Sequence, residues 1–79
     1  MIKEVKERFC AWVWAKLKQK KITQRQIAKI FHVTPSRVSQ KLRSGDFTLE
    51  EIILIFAVVG ATEREIGEVL YVKDYQYSL

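Results

Sequence analysis

The stretch TQRQIAKIFHVTPSRVSQKLRSG, residues 23–45, contains two short helical patterns that are separated by a tight break. Thr23 and Gln26 stand three residues apart, which is the spacing of a capping box at the start of a helix. The apolar residues that follow at helical spacing are Ile27, Ala28, Ile30 and Phe31. They predict a helix of about two turns that ends near His32.

The second pattern predicts a helix over residues 35–43. Thr34 can cap its start, and Pro35 suits the first helical position because its φ is fixed and it has no N–H group. Val38 and Leu42 stand four residues apart and predict the side that faces the core. The other positions are polar: Ser36, Arg37, Ser39, Gln40, Lys41 and Arg43. Such a density of hydrogen-bond donors exceeds what a purely structural helix of this length requires.

Three further helices are predicted around this stretch. The first covers residues 2–20, and a turn at residues 44–46 follows the second short helix. Thr48 and Thr62 each stand three residues before a glutamate, so two more capping boxes open a fourth and a fifth helix. The core side of the first helix is predicted to consist of Ile2, Val5, Phe9, Trp12, Val13 and Leu17.

The fourth helix is apolar around most of its circumference. Its inner face is predicted to consist of Leu49, Ile52, Ile53, Ile55, Phe56 and Val59. Leu54 and Val58 lie on the opposite side, so either the fifth helix or a second copy of the chain covers them. Gly60 ends this helix. The apolar positions of the fifth helix are Ile66, Val69 and Leu70.

Two apolar features have more than one interpretation. The tail at residues 71–79 places Tyr71 and Tyr75 in an alternating pattern, which fits either a short extended strand or coil. Trp14 points away from the core side of the first helix, and either a partner or another helix covers it.

The composition indicates one domain without export or catalysis. The chain has 79 residues, of which 48% are hydrophobic and 29% charged, as in an ordinary globular domain. Cys10 is the one cysteine and His32 the one histidine, so we expect no internal disulfide, no metal site and no cofactor. No positioned base accompanies the serines, so we expect no enzyme activity. No apolar run is long enough for a membrane span, and a reduced cytoplasm fits best.

Charge is divided unequally along the chain. Residues 1–43 contain twelve Lys or Arg and two Glu, whereas residues 44–79 contain two Lys or Arg and seven Asp or Glu. The first part therefore carries +10 and the second −5. A domain with this asymmetry favours one orientation against a polyanion, which is consistent with binding to nucleic acid. Exposed lysines that only maintain solubility are the alternative.

Two short helices joined by a few residues, the second capped and polar outside, are typical of a helix-turn-helix. The N-terminal part of the second helix enters a major groove most deeply, so Ser36, Arg37 and Gln40 are predicted to read bases. Arginine matches the two acceptors of guanine, and glutamine pairs with adenine. Lys41 and Arg43 lie farther along and are predicted to contact phosphates.

At these residues the sequence resembles the lambda-repressor and Cro family of helix-turn-helix regulators in bacteria and their phages. The resemblance covers about residues 21–60. The matching residues are Thr23, Gln24, Ile27, Ala28, Val33, Thr34, Val38, Ser39, Gly45, Thr48, Leu49, Ile52, Ile55 and Gly60. It implies an all-α, compact five-helix domain over residues 1–79, with the helix-turn-helix at about 23–43.

The resemblance also implies roles for individual residues. The residue that matches Gln24 contacts the DNA backbone at the start of the first short helix, and those that match Pro35, Ser36 and Gln40 face the bases. The complete set of predicted backbone contacts is Gln24, Arg25, Thr34, Ser39, Lys41 and Arg43.

The chain departs from the family pattern at three places. His32 stands where the family has a glycine in a left-handed turn, which a histidine adopts at some energetic cost. Pro35 has no side chain that can contact a base. One extra residue precedes Gly45, which changes the register of the residues that approach the DNA backbone.

The leading hypothesis is a small bacterial or phage repressor that binds double-stranded DNA as a homodimer in the cytoplasm, associated with the nucleoid. The predicted dimer contacts are Leu54, Val58, Tyr71 and Tyr75. One alternative is a protein-binding adaptor or antitoxin-like module that uses Trp14, Leu54, Val58 and the tyrosine tail. Another is an RNA binder, which the absence of an aromatic stacking platform beside the basic helix disfavours.

Overall fold

The computed structural model describes residues 2–72, and within this range the fold consists of α-helices without a strand. The five helices are α1 (Ile2–Lys20), α2 (Gln24–Phe31), α3 (Pro35–Ser44), α4 (Leu49–Val59) and α5 (Glu63–Val69). The predicted all-α architecture is therefore confirmed for this part of the chain. No helix among the described residues has the length and apolar content needed to cross a membrane. The predicted strand or coil at residues 73–79, with Tyr75, lies outside the described residues.

The predicted helix starts are confirmed, because they depend on local hydrogen bonds. Thr23 Oγ1 accepts from the backbone N–H of Gln26 at 3.1 Å, and Gln26 Oε1 accepts in return from the N–H of Thr23 at 2.8 Å. Thr48 and Thr62 form the same reciprocal pairs with the glutamates of α4 and α5. Three of the five helices thus begin with a capping box.

The end of α3 differs from the prediction by one residue. Ser44 belongs to the helix, and the chain leaves it at Gly45, which has a φ of 77°. The N–H of Gly45 donates to the carbonyl of Lys41 at 2.7 Å and closes the last turn. A residue at positive φ ends a helix wherever it stands, so the glycine, and not the preceding polar run, sets the boundary.

The core lies between α1 and the other helices, since α1 contacts α3, α4 and α5. Its buried members are Phe9, Val13, Leu17, Ile27, Ala28, Val38, Leu42, Ile55, Phe56, Val59 and Val69. Aromatic rings connect α1 to the segment around α4: the ring of Phe9 packs edge-on against Phe47 and Phe56, at centroid distances of 5.4 and 5.8 Å. Trp12 packs against Phe56 in the same way.

Three residues predicted for the core are exposed. Ile2 is 71% exposed because it begins α1, and Leu49 and Ile53 are 73% and 57% exposed. The two α4 residues lie one turn apart, whereas the buried residues of that helix are Ile55, Phe56 and Val59. Leu54, for which cover by the fifth helix or by a second copy of the chain was predicted, is half-buried.

Candidate functional site

The second short helix, α3, is held by its inner side and presents its outer side to solvent. Val38 and Leu42 are 1% and 3% exposed, so the predicted anchors are confirmed. The three predicted base-reading residues, Ser36, Arg37 and Gln40, are all exposed. At about 100° per residue they lie within one sector opposite the anchors, and Arg43 and Ser44 extend that sector toward the C-terminal end. We call this sector the α3 outer face, comprising Ser36, Arg37, Gln40, Arg43 and Ser44.

The turn between α2 and α3 is short because His32 takes the left-handed conformation, with φ 58° and ψ 42°. In this geometry the N–H of Val33 donates to the carbonyl of Ala28 at 3.0 Å, which satisfies the end of α2. Thr34 Oγ1 then accepts from the N–H of Arg37 at 3.2 Å and starts α3. Only the turn of residues 32–34 separates the helices, which pack directly against each other.

Two arginines of the α3 outer face are hydrogen-bonded to side chains on their own helix. Arg37 Nη1 donates to Gln40 Oε1 at 3.3 Å, and Arg43 Nη1 donates to Ser39 Oγ at 2.9 Å. Both bonds restrict long side chains that would otherwise sample many rotamers. Both arginines therefore have a preferred direction before any ligand is present.

Lys41 lies at the side of α3 and contacts α4. Its Nζ is 3.1 Å from Glu51 Oε1, and both side chains are mostly covered, at 12% and 13% exposure. The same ammonium donates to the carbonyl of Asp46 at 3.5 Å. A phosphate contact by Lys41 remains a prediction, but in this geometry the phosphate would compete with Glu51 for the ammonium.

Glu51 is held in its ionised form by the groups around it. Burial acts to raise the pKa of its carboxyl, but the N–H of Thr48 and the ammonium of Lys41 both donate to Oε1, and together they hold the pKa below its usual value. The same carboxylate thus caps α4 and connects α4 to α3. It fixes the position of the helix that carries the outer face.

The remaining predicted backbone contacts lie at helix N-termini or beside α3. Gln24, half-buried, and Arg25, exposed, are the first two residues of α2, and exposed Thr34 directly precedes α3. Free backbone N–H groups at such ends favour negative charge. Ser39 is half-buried and holds Arg43. The positions of these residues are compatible with the predicted contacts, which remain predictions.

A basic cleft that the sequence did not reveal lies beside the C-terminal end of α3. It has a volume of about 510 Å³ and is lined by Lys3, Lys6 and Arg43, together with Ile2, Glu7, Cys10, Ser44 and Gly45. Lys6 pairs with Asp46 at 2.7 Å. Lys3 lines the same cleft as Arg43, although forty residues separate the two in the sequence. In the sequence, only the overall charge asymmetry indicated a basic surface.

Part of the positive charge of residues 1–43 is neutralised within the fold. Lys6, Lys16 and Lys41 pair with Asp46, Glu65 and Glu51. These pairs join the basic part of the chain to the acidic part. None of the ion pairs among residues 2–72 involves Arg25, Arg37 or Arg43. The cations near α2 and α3 therefore keep more uncompensated charge than those that face α4 and α5.

Cys10 is packed in the fold, and its surroundings on balance disfavour the thiolate. Burial raises the pKa of its thiol, the charge of Asp46 adds to this effect, and Lys6 opposes it. The thiol is accordingly protonated near neutral pH, which is unfavourable for a nucleophile. Among residues 2–72 no three His, Cys, Asp or Glu side chains lie close enough together to hold a metal ion.

The predicted dimer residues are only partly accessible. Val58 is 36% and Tyr71 56% exposed, whereas Leu54 is half-buried. The most exposed large apolar residues of α4 are Leu49 and Ile53, which the sequence had assigned to the core. Trp14, for which two interpretations were open, is partly exposed.

Comparison of the chain with protein-family models, with curated proteins and with solved structures finds no match in any of the three. The functional interpretation therefore depends on the geometry of α2 and α3 and on the distribution of charge.

Proposed function

We propose that this chain is a sequence-specific DNA-binding protein of the lambda-repressor and Cro type. In this proposal α2 and α3 form a helix-turn-helix, and α3 enters the major groove of double-stranded DNA. The observation that carries the proposal is the difference between the two sides of α3. Its core side is anchored by Val38 and Leu42, while its opposite side exposes Ser36, Arg37 and Gln40. A helix built in this way can present donors to base edges without losing its own packing.

The distribution of charge supports the same orientation. Residues 1–43 carry +10, and none of the ion pairs among residues 2–72 involves Arg25, Arg37 or Arg43 of α2 and α3. Phosphates approaching α3 would meet Arg25, Arg43 and Lys3, whereas α4 and α5 would repel them. The domain therefore has one face suited to a polyanion.

Operator recognition requires two copies of the domain in this proposal. A single recognition helix touches too few base pairs to specify a site, so proteins of this design bind two-fold sites as dimers. The exposed apolar side chains Leu49, Ile53, Val58 and Tyr71 supply surface that a second copy can cover. We propose the role of a small repressor in a bacterial or phage-infected cell, acting in the cytoplasm at the nucleoid.

Selection of bound sites from random duplexes, followed by footprinting of the best site, tests this function. We expect enrichment of a two-fold sequence whose half-sites lie one helical turn apart, about 10 base pairs. The Arg37→Ala protein is the matched control, since it removes one exposed side chain of α3 and no core contact. It should retain non-specific binding at low salt and show weaker enrichment, because it loses the preference at the base pair that Arg37 contacts. Absence of any enrichment by the original protein would refute the proposal.

The exposed aromatic and apolar residues favour a second candidate, a protein-binding adaptor. Trp14 and Val58 are both at least one-third exposed and lie on different helices from the α3 outer face. An adaptor would hold its partner at high salt, because apolar contacts are not screened, and would not shift duplex DNA at low salt. A DNA-binding protein would instead shift duplex DNA at low salt and release it at high salt, because salt weakens its contacts with phosphates.

A further inference from the structure

The Arg37–Gln40 pair carries an inference about which base edges α3 can read. Arg37 is the third residue of α3, and its backbone N–H is fixed by Thr34 Oγ1 at 3.2 Å. Its guanidinium donates from Nη1 to Gln40 Oε1 at 3.3 Å, one turn along the helix. Both side chains are exposed, and neither contributes to the core. The pair therefore belongs entirely to the α3 outer face.

The hydrogen bond from Arg37 determines which groups of Gln40 remain free to contact a base. Glutamine reads adenine through two groups, since its carbonyl accepts from the N6 amino group while its NH₂ donates to N7. In this structure the carbonyl already accepts from Arg37, so the N6 amino group of an adenine would have to share that oxygen with a positively charged donor, which weakens the two-point match while the pair is intact. Apart from the second lone pair of that oxygen, the free groups are the NH₂ of Gln40 and the remaining N–H groups of Arg37, all of which are donors.

A surface on which donors predominate favours a base edge that has only acceptors. Guanine presents N7 and O6 as adjacent acceptors in the major groove, whereas adenine presents an amino donor beside its N7. Among residues 2–72 no carboxylate forms an ion pair with Arg37, so its charge remains available for such a contact. Holding the guanidinium in place also reduces the rotamer entropy lost on binding.

We propose that Gln40 is a positioning residue for Arg37, and that the two act as one unit that selects a guanine at a single base pair. This inference rests on the proposed DNA-binding function and replaces the expectation that Gln40 reads an adenine independently.

The test compares binding preferences of the full chain and of its variants on duplexes that differ only at one base pair of the selected site. Arg37→Ala should reduce the preference for guanine there by roughly 5- to 150-fold, the range for loss of one two-point contact. Gln40→Ala should reduce the preference at the same base pair by several-fold. In the Arg37→Ala background, Gln40→Ala should change it little, because the two residues act together.

Gln40→Glu is the discriminating variant. Glutamate keeps an acceptor for Arg37, so the guanine preference should survive even if the added charge weakens binding to every duplex equally. If Gln40 read a base by itself, Gln40→Glu would instead transfer a preference from adenine to cytosine at a different base pair. Melting temperatures, followed by circular dichroism, should be nearly equal for all these variants because the side chains are exposed.

The possible failures of the two proposals are distinguishable. If the original protein selects a site but Gln40→Ala removes an adenine preference elsewhere and spares the guanine, the pairing inference is wrong and the DNA-binding function stands. Additive effects of Arg37→Ala and Gln40→Ala would also overturn the inference. If the original protein prefers no duplex, both proposals fall.

Discussion

A β-carbon on Gly45 would lie 2.9 Å from the Cβ of Lys6, closer than two such atoms approach in folded proteins. Gly45 also has a φ of 77°, which disfavours a side chain by itself. The residue that follows α3 thus packs against the side chain of Lys6 on α1. Glycine at position 45 allows both this close contact and the left-handed turn. This contact fixes one end of the proposed recognition helix.

Replacing Gly45 by alanine should therefore destabilise the fold more than backbone strain alone requires. We expect a loss of about 2–5 kcal/mol, the sum of left-handed strain and overpacking. Gly60→Ala is the matched control, because Gly60 has a φ of 66° with nothing near its would-be β-carbon. Denaturant unfolding measures both variants. Equal losses for the two would show that the approach of Lys6 is unimportant.

Replacing His32 by glycine should stabilise the protein. His32 has a φ of 58°, and relief of this strain should outweigh the extra entropy of the unfolded glycine by about 0.5–1 kcal/mol. A shift of a few degrees in melting temperature corresponds to this gain in a domain of this size. Arg25→Gly, inside α2, should lower the melting temperature. A lower melting temperature for His32→Gly would mean that the imidazole has a contact worth more than the strain.

Stability should fall on acidification in a way that depends on Glu51. Its pKa is held below the usual value of a glutamate, so its contribution is fully present above that value and is lost as pH falls through the lower folded pKa. Glu51→Gln should flatten this acidic part of the stability profile. Glu50→Gln removes the same charge from the same helical turn without an ion pair to α3, and its profile should remain parallel to that of the original protein.

The salt dependence of DNA binding should identify the phosphate contacts. Arg43→Ala and Lys3→Ala should each reduce the slope of log K against log salt by about 0.9, as expected for one lost phosphate contact. Arg64→Ala removes an equal charge from α5, where Arg64 is highly exposed and paired with Glu68, and should leave the slope unchanged. Identical slopes for all three variants would place the DNA elsewhere on the surface.

The protein should become monomeric when an exposed apolar residue of α4 is replaced by a charged one. Ile53→Glu should give a folded monomer with weakened binding to the two-fold site, because Ile53 is exposed and its replacement disturbs no core contact. Sedimentation equilibrium measures the change, and circular dichroism checks the fold. Leu54→Glu is expected to give a monomer too, but its half-buried position adds a loss of stability. An unchanged dimer in the Ile53→Glu protein would move the interface away from this side of α4.

Helix boundaries could be predicted from the sequence because they depend on neighbouring residues. The caps at Thr23, Thr34 and Thr48 each involve a partner three residues later. The anchors Val38 and Leu42 could be predicted for the same reason, since their spacing on one helix defines a face. The left-handed turn at His32 was expected from the family resemblance, in which a glycine stands at this position.

Contacts between helices could not be predicted in this way. The sequence shows that α4 is apolar around most of its circumference. Which of its residues are covered depends on how the other helices pack against it, and the structure shows that Ile55 is buried and Ile53 is exposed. The pairing of Lys41 with Glu51 and the closeness of Lys3 to Arg43 depend equally on how helices pack. The candidate base-reading residues could be chosen by residue type and position on the helix, whereas the bond between Arg37 and Gln40 required coordinates.

The residues that start the helices are different from those proposed to contact DNA. Each of α2, α3, α4 and α5 begins at a threonine, and none of the side chains Ser36, Arg37, Gln40 or Arg43 takes part in starting a helix or in filling the core. These four positions can consequently change by mutation at little cost in stability. Under the proposed DNA-binding function, a lineage that carries this scaffold can acquire new target sequences one substitution at a time, without first evolving a more stable fold.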